Sequence, residues 1–228
     1  RHHYSPRASE RRATPHPNCA ESPLDFGSFN VRSGAILLLR GASGAGKSTL
    51  LHLLAGVLPV GPEAGSVSIA GRELSGLSVA QRDRLRPFLV GWMPQRLCLL
   101  ETLTVRENVL LPLALAGKSD AEGGRRADQL LRSLEIDQLG ARRPVAISVG
   151  QAARVSLARA LVAHPRLLLA DEPTAALDAD SANLVASALA DFVAAGGAAV
   201  IASHDADLEV MLCQRLPGAS VQTMGLPR

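Results

Sequence analysis

Aromatic side chains are scarce in this chain, with four Phe, one Tyr and one Trp among 228 residues. That leaves no evident platform for stacking nucleic-acid bases. An excess of one charge is lacking too. The formal net charge is +3, and residues 1–22 alone set Arg1, Arg7, Arg11 and Arg12 against Glu10 and Glu21. The remainder is about neutral, which argues against a basic nucleic-acid face. Cysteine is sparse: Cys19, Cys98 and Cys213 are far apart. An odd number without metal-ligand spacing indicates neither a disulfide framework nor a zinc site, and a reduced, cytosolic setting is the simplest expectation. Long hydrophobic runs are missing as well. The longest apolar stretches are broken by Pro165, Asp191 or Gly196-Gly197, short of the roughly 20 residues that span a membrane, and no secretory apolar segment follows the first residues. Any role at a membrane is expected to run through a partner.

What is present is apolar bulk and one dense motif. With 47% hydrophobic residues, the chain can bury a sizeable core, as one large domain or a core with an inserted subdomain. Gly41, Ala42, Ser43, Gly44, Ala45, Gly46, Lys47, Ser48 and Thr49 spell a complete phosphate-binding loop. It directly follows the apolar run Ala35 to Leu39 and directly precedes the helical pattern Leu50 to Ala55. The glycines let consecutive N–H groups turn inward around a β-phosphate. Lys47 supplies a point charge at the β/γ-phosphates and Ser48 a hydroxyl ligand for Mg²⁺. The following helix aims the positive end of its dipole at the same phosphates. A nucleoside triphosphate is the expected ligand.

Along the chain, residues 1–22 lack apolar periodicity and are expected to be poorly ordered. Short strand patterns run from Phe26 to Val31 and from Ala35 to Leu39. Ser66 to Ala70, followed by Gly71-Arg72, and Phe88 to Met93 are expected strands of a small antiparallel layer. Between Glu101 and Pro144 the texture is helical, with Glu107, Asn108, Leu110 and Leu111 in one segment, Asp128 to Leu134 in another, and a loop from Gly117 to Gly124 between them. This reads as an inserted α-helical subdomain of about residues 97–160 within one domain of residues 23–228. From Ser148 alternation returns: helix Gly150 to Ala163, strand Leu167 to Ala170, helix Ser181 to Ala195, strand Ala198 to Ala202. The expected class is α/β, with a mostly parallel sheet covered on both faces beside the small antiparallel layer and the helical insertion.

The run Leu167 to Ala170 ends in Asp171-Glu172. Burial in a parallel sheet explains the leucines, but not acidic groups at the strand's C-terminal end, where open α/β sheets bind ligands. Asp171 is placed to organise Mg²⁺ opposite Ser48, and Glu172 to take a proton from an attacking water. His204 and Gln95 each lie just past an apolar strand and carry little weight alone. In Ile147-Ser148-Val149-Gly150-Gln151, a helix start leaves unpaired N–H groups, and Ser148 is free either to cap it or to hydrogen-bond an anion.

Together, Gly41 to Thr49, Gln95, Ser148 to Gln151, Leu167 to Glu172, Ala176-Leu177-Asp178 and His204 resemble the nucleotide-binding subunit of ATP-binding-cassette transporters. The motifs stand in order and at the expected separations, over roughly residues 24–215. The resemblance implies a P-loop NTPase core and ATP with Mg²⁺ as ligands. It also implies head-to-tail pairing, each ATP lying between one subunit's phosphate loop and the other's signature helix. Ser148 and Gly150 would then contact the γ-phosphate across the dimer, with Gln151 and Asp178 in the same nucleotide-binding set. Glu172 becomes the catalytic carboxylate and His204 the γ-phosphate and water-positioning switch. Asp178 lies on the loop connecting the two sites, and Gln95 links Mg²⁺ to the transmembrane partner. The implied partners are a second or paired ATPase subunit and an integral membrane permease, with no nucleic acid. The implied location is peripheral, on the cytoplasmic face of the plasma (inner) membrane.

Leu99 to Leu113 looks most like the branch of lipoprotein-release and macrolide-export ATPases, a branch that also holds a cell-division ATPase. The alternative is a non-transport ATPase of the same type acting on nucleic acid or in cell division. A third possibility is a nucleotide-sensing module of slow turnover. Two positions depart from the family pattern. Val149 stands where the signature usually has its first glycine, and its branched side chain is expected to crowd the γ-phosphate. No clear aromatic residue precedes the phosphate loop to stack on adenine: Tyr4 is too distant and His16 a weak candidate.

Overall fold

The computed structural model describes residues 26–60, 65–218 and 220–226. The expectation for residues 1–22, and with it Tyr4 and His16, lies outside them. Five strands, β1 (Ala35–Arg40), β4 (Val90–Met93), β5 (Leu167–Asp171), β6 (Ala198–Ala202) and β7 (Ser220–Gly225), form one sheet in the order β4-β5-β6-β1-β7. Every pairing in it is parallel. Alternate side chains enter two cores, one on each face. Ile36 and Leu38 of β1 join Leu168, Ala170, Ala199 and Ile201, while Leu37 and Leu39 join Leu167, Leu169, Val200 and Ala202. This two-sided burial is why the strands read as continuous apolar runs.

On the second face lies α1 (Lys47–Leu54), which buries Leu50 and Leu51. The opposite face carries α3 (Val105–Leu115), α4 (Ala121–Ser133), α5 (Val149–Leu161), α6 (Ala179–Ala194) and α7 (Ala206–Arg215). Before β4 comes α2 (Val79–Leu89), and ahead of it the hairpin β2 (Ser68–Ile69) and β3 (Arg72–Glu73). Its two-residue turn holds Ala70 at φ 50° and Gly71 at φ 75°, the left-handed pair that antiparallel hairpins favour.

Four expectations are corrected. Phe88 to Met93 is not a strand of the antiparallel layer: Phe88 and Leu89 end α2, and Val90–Met93 is the edge strand of the parallel sheet beside β5. Gly91 lets this strand lie against the end of α5, since a Cβ there would meet Ala160 O at 2.4 Å and Pro165 Cγ at 2.9 Å. Phe26 to Val31 forms no strand, because Gly27 turns to φ 60° and Phe26, Phe29 and Val31 pack against the core instead. The strand of Ser66 to Ala70 shrinks to Ser68–Ile69. The loop Gly117 to Gly124 is shorter than its glycines suggest. Asp120 caps α4 by accepting the Gly123 N–H at 2.7 Å, and a Cβ on Gly123 would meet Leu113 Cδ1 at 2.6 Å, so this glycine serves helix packing rather than chain breaking.

Candidate functional site

The phosphate loop joins β1 to α1, and its shape follows from its glycines. Gly44 and Gly46 take φ 84° and 86°, angles at which a Cβ is costly. Gly46 is the N-cap of α1, and no side chain caps that helix. Its first-turn N–H groups, which lack partners one turn back, point at the loop. Ala42, Ser43 and Gly44 are exposed, Gly41, Gly46 and Thr49 half-buried, and Ala45 packs into the core.

Lys47 is 8% exposed. Its ammonium donates to Gly41 O at 2.7 Å and Ala42 O at 3.1 Å, and lies 3.0 Å from His204 Nε2. Among the described residues no carboxylate pairs with it. A buried cation that no carboxylate pairs with among the described residues, at a helix N-terminus without a side-chain cap, fits an anion such as a phosphate. Next to it, Ser48 Oγ donates to Asp171 Oδ2 at 2.7 Å. A hydroxyl and a carboxylate in contact offer the oxygen donors that hard divalent cations take.

Asp171 closes β5 and is 7% exposed. Glu172 follows at φ 50°, a conformation that costs a non-glycine residue about 1–3 kcal/mol and is concentrated at functional sites. Its N–H donates to Ala202 O at 2.8 Å. Its Oε2 accepts from His204 N at 3.2 Å and from Ser203 Oγ at 3.3 Å. The His204 ring is exposed, with Nε2 3.7 Å from Glu172 Oε1. Lys47, Ser48, Asp171, Glu172 and His204 therefore meet at the C-terminal ends of β1, β5 and β6, three adjacent strands. Open α/β sheets place their ligands at that edge.

Gln95 lies two residues past β4 on the outer edge of the same sheet. It is exposed and has no hydrogen-bond partner among the described residues. The loop behind it is held firmly. Arg159 of α5 donates to Cys98 O at 2.7 Å and Leu97 O at 2.6 Å, and burial lowers the pKa of its guanidinium. The fully buried Asn108 accepts from Leu100 N at 2.8 Å while its Nδ2 donates to Leu100 O at 3.0 Å and Thr104 O at 2.9 Å. A cavity of about 430 Å³ between α3 and α4 lies away from this chemistry; its two arginines are already paired, Arg106 with Asp128 and Arg125 with Glu122.

The signature segment is organised on its own. Ser148 Oγ accepts the Gln151 N–H at 3.2 Å, and Gln151 Oε1 accepts the Ser148 N–H at 3.0 Å, a reciprocal capping box. Gly150 is buried against the start of α6, where a Cβ would meet Ser181 Oγ at 2.4 Å. Asp178 caps α6 through Ser181 N at 2.7 Å, a bond that holds its carboxyl below the usual range. Val149 is 63% exposed, so within one chain it crowds nothing.

The sequence does not mark Ser203 or Asn108 as site residues. Ser203 has a weak signal in its place beside His204 at a strand end, and Asn108 is indistinguishable in sequence from a helix-surface residue.

A family model described as ABC transporter matches residues 24–175. The chain belongs to the ABC transporter family. Solved cassettes agree in fold. A dimeric, post-hydrolysis structure of the ATP-binding cassette MJ0796 bound to ADP and Pi gives a TM-score of 0.75 at 28% identity, over 88% of this chain and 86% of that one. Another dimeric structure of MJ0796, described as a bacterial ABC transporter cassette, gives 0.75 at 29% identity over 86% and 84%. An ATP-binding subunit of an ABC transporter gives 0.67 at 28% over 77% and 70%. The present chain is an ABC ATPase domain, an enzyme of the class that binds and hydrolyses ATP.

Proposed function

We propose that this ABC ATPase binds Mg·ATP, closes head to tail on a second copy or paired ATPase subunit, and hydrolyses the nucleotide to drive a separate integral membrane permease. It would work peripherally, at the cytoplasmic face of the inner membrane. Among the described residues no helix is long and apolar enough to cross a membrane, and the proposed reading assigns the membrane-spanning part to a separate permease. The observation that carries this reading is the meeting of Lys47, Ser48, Asp171, Glu172 and His204 at three neighbouring strand ends.

Ser48 and Asp171 would hold Mg²⁺, with Gln95 reaching it from the neighbouring edge. Held by these residues, the ion would supply charge neutralisation to the triphosphate. Lys47 and the loop N–H groups of residues 41–49 orient the triphosphate. Glu172 takes the proton of the attacking water, a contribution of about 10²–10⁴-fold in rate for general base catalysis. His204, already at hydrogen-bond distance from Lys47, is placed to move toward the γ-phosphate. Ser148, Gly150 and Gln151 present the start of α5 to the partner's nucleotide, and Asp178 ties that helix start to α6.

The test is ATP hydrolysis by the purified chain with and without Mg²⁺ and with and without DNA, beside fractionation of cells expressing it with its transporter. Mg²⁺-dependent turnover indifferent to DNA, with the chain in the membrane fraction, is expected. Stimulation by DNA with the chain absent from membranes would favour the nucleic-acid alternative and overturn the transport reading.

A further inference from the structure

Ser203 is 5% exposed and lies between β6 and α7, and the roles proposed above do not use it. Its hydroxyl accepts the Asp205 N–H at 3.0 Å. Its single proton is then directed at Glu172 Oε2, 3.3 Å away, because an ionised carboxylate only accepts. Asp205 is anchored in turn. Its Oδ2 accepts from Thr174 Oγ1 at 2.7 Å, while Oδ1 accepts the N–H groups of Asp207 and Leu208 and caps α7. Thr174 is 5% exposed and stands two residues after Glu172. The loops behind β5 and β6 are thus closed into a ring through Glu172, Ser203, Asp205 and Thr174. Inside that ring Glu172 keeps its left-handed backbone.

We propose that Ser203 is a positioning residue for hydrolysis. With the His204 N–H, it fixes Oε2 of Glu172 and so leaves Oε1 as the oxygen that meets the water. Thr174 and Asp205 hold Ser203 in place. This rests on the reading of Glu172 as general base. A carboxylate free to swing about its side-chain bonds would spend most of its time misaligned, and alignment of a base is worth much of its catalytic effect. Nucleotide binding, which falls to the phosphate loop, is independent of the ring.

The experiment measures kcat and the dissociation constant for ATP of the full chain carrying Ser203→Ala, Ser203→Thr, Glu172→Gln, or Ser203→Ala with Glu172→Gln. Ser203→Ala should lower kcat by about ten- to a hundredfold, the scale of a hydrogen bond to a charged group, with ATP affinity within about twofold. Ser203→Thr, which keeps the hydroxyl, should restore most of the rate. Added to Glu172→Gln, Ser203→Ala should cost nothing further in single-turnover hydrolysis, because the two residues act as one unit. An unchanged kcat for Ser203→Ala, or an undiminished loss in the Glu172→Gln background, would overturn the proposal. Near-normal turnover by Glu172→Gln would instead overturn the general-base reading beneath it. Should Ser203→Ala not fold, Thr174→Val cuts the next tether at nearly constant shape. A lowered kcat at unchanged affinity then supports the ring, and an unchanged kcat overturns it.

Discussion

The sheet edge and the start of α5 are built on opposite plans. At the edge, chemistry-bearing side chains touch one another across the sequence: Lys47 reaches His204, Ser48 reaches Asp171, and Ser203 reaches Glu172. At the start of α5, Ser148 and Gln151 bond only to each other's segment, and Ser148 and Val149 are exposed. The first region has a buried cation, Lys47, that no carboxylate pairs with among the described residues. The second has a capped helix N-terminus facing solvent, whose Ser148 and Gln151 side chains bond to no other segment among the described residues. Under the proposed function, one region would be half of a catalytic site and the other the part that completes it in a second chain, which is the division this contrast fits.

Substitutions sharpen the contrast, because losses at the edge should appear in chemistry and losses at α5 in stability and assembly. Glu172→Gln should retain ATP binding and lower turnover by about two to four orders of magnitude in a steady-state assay; a near-normal rate would remove Glu172 from the chemistry. Lys47→Ala withdraws the charge facing the phosphates and should weaken ATP binding by about ten- to a hundredfold by equilibrium titration. Gly150→Ala, whose methyl meets Ser181 Oγ at 2.4 Å, should lower unfolding stability by about 1–3 kcal/mol. Ser148→Ala, which loses only the cap, should cost about 0.5–2 kcal/mol. Denaturant melts of the two variants give that order; a larger loss for Ser148 would reverse it.

The smallest effect concerns the cap of α6. The Ser181 N–H holds the Asp178 carboxyl below its usual range. A depressed folded pKa contributes stability above the unfolded value and loses it as pH falls through the folded one. The difference in thermal midpoint between wild type and Asp178→Ala should therefore be flat near neutrality and shrink in the acid range. A difference that grows on acidification would have the wrong sign.

Much of this is legible in the sequence. Gly41 to Thr49 and Leu167 to Glu172 carry their chemistry in residue type and local order, so their meeting at one edge follows from a parallel sheet. Less is legible where tertiary packing reassigns a residue. Gly91 and Gly123 look like turn formers but are contact points for Ala160 and Leu113. The capping box of Ser78 and Gln81 marks α2, yet apolar Phe88 to Met93 reads as one strand although a helix ends inside it. The ring through Ser203 and Thr174 depends on two loops 31 residues apart in sequence, and no local pattern encodes it. Edge strand β7, with Ser220, Gln222 and Thr223 exposed, has little apolar signal of its own.

A mixed dimer tests most directly whether the two regions complete each other. Chains carrying Ser148→Arg and chains carrying Lys47→Ala, each folded and each expected to be inactive as a homodimer, are assayed alone and combined for Mg²⁺-dependent ATP hydrolysis. In the heterodimer one site bears both lesions, while the other pairs an intact phosphate loop with an intact start of α5. Hydrolysis by the mixture above that of either homodimer is the expected result. No recovery despite heterodimer formation seen by differential tagging, or full activity of the Ser148→Arg homodimer, would contradict a site shared between two chains.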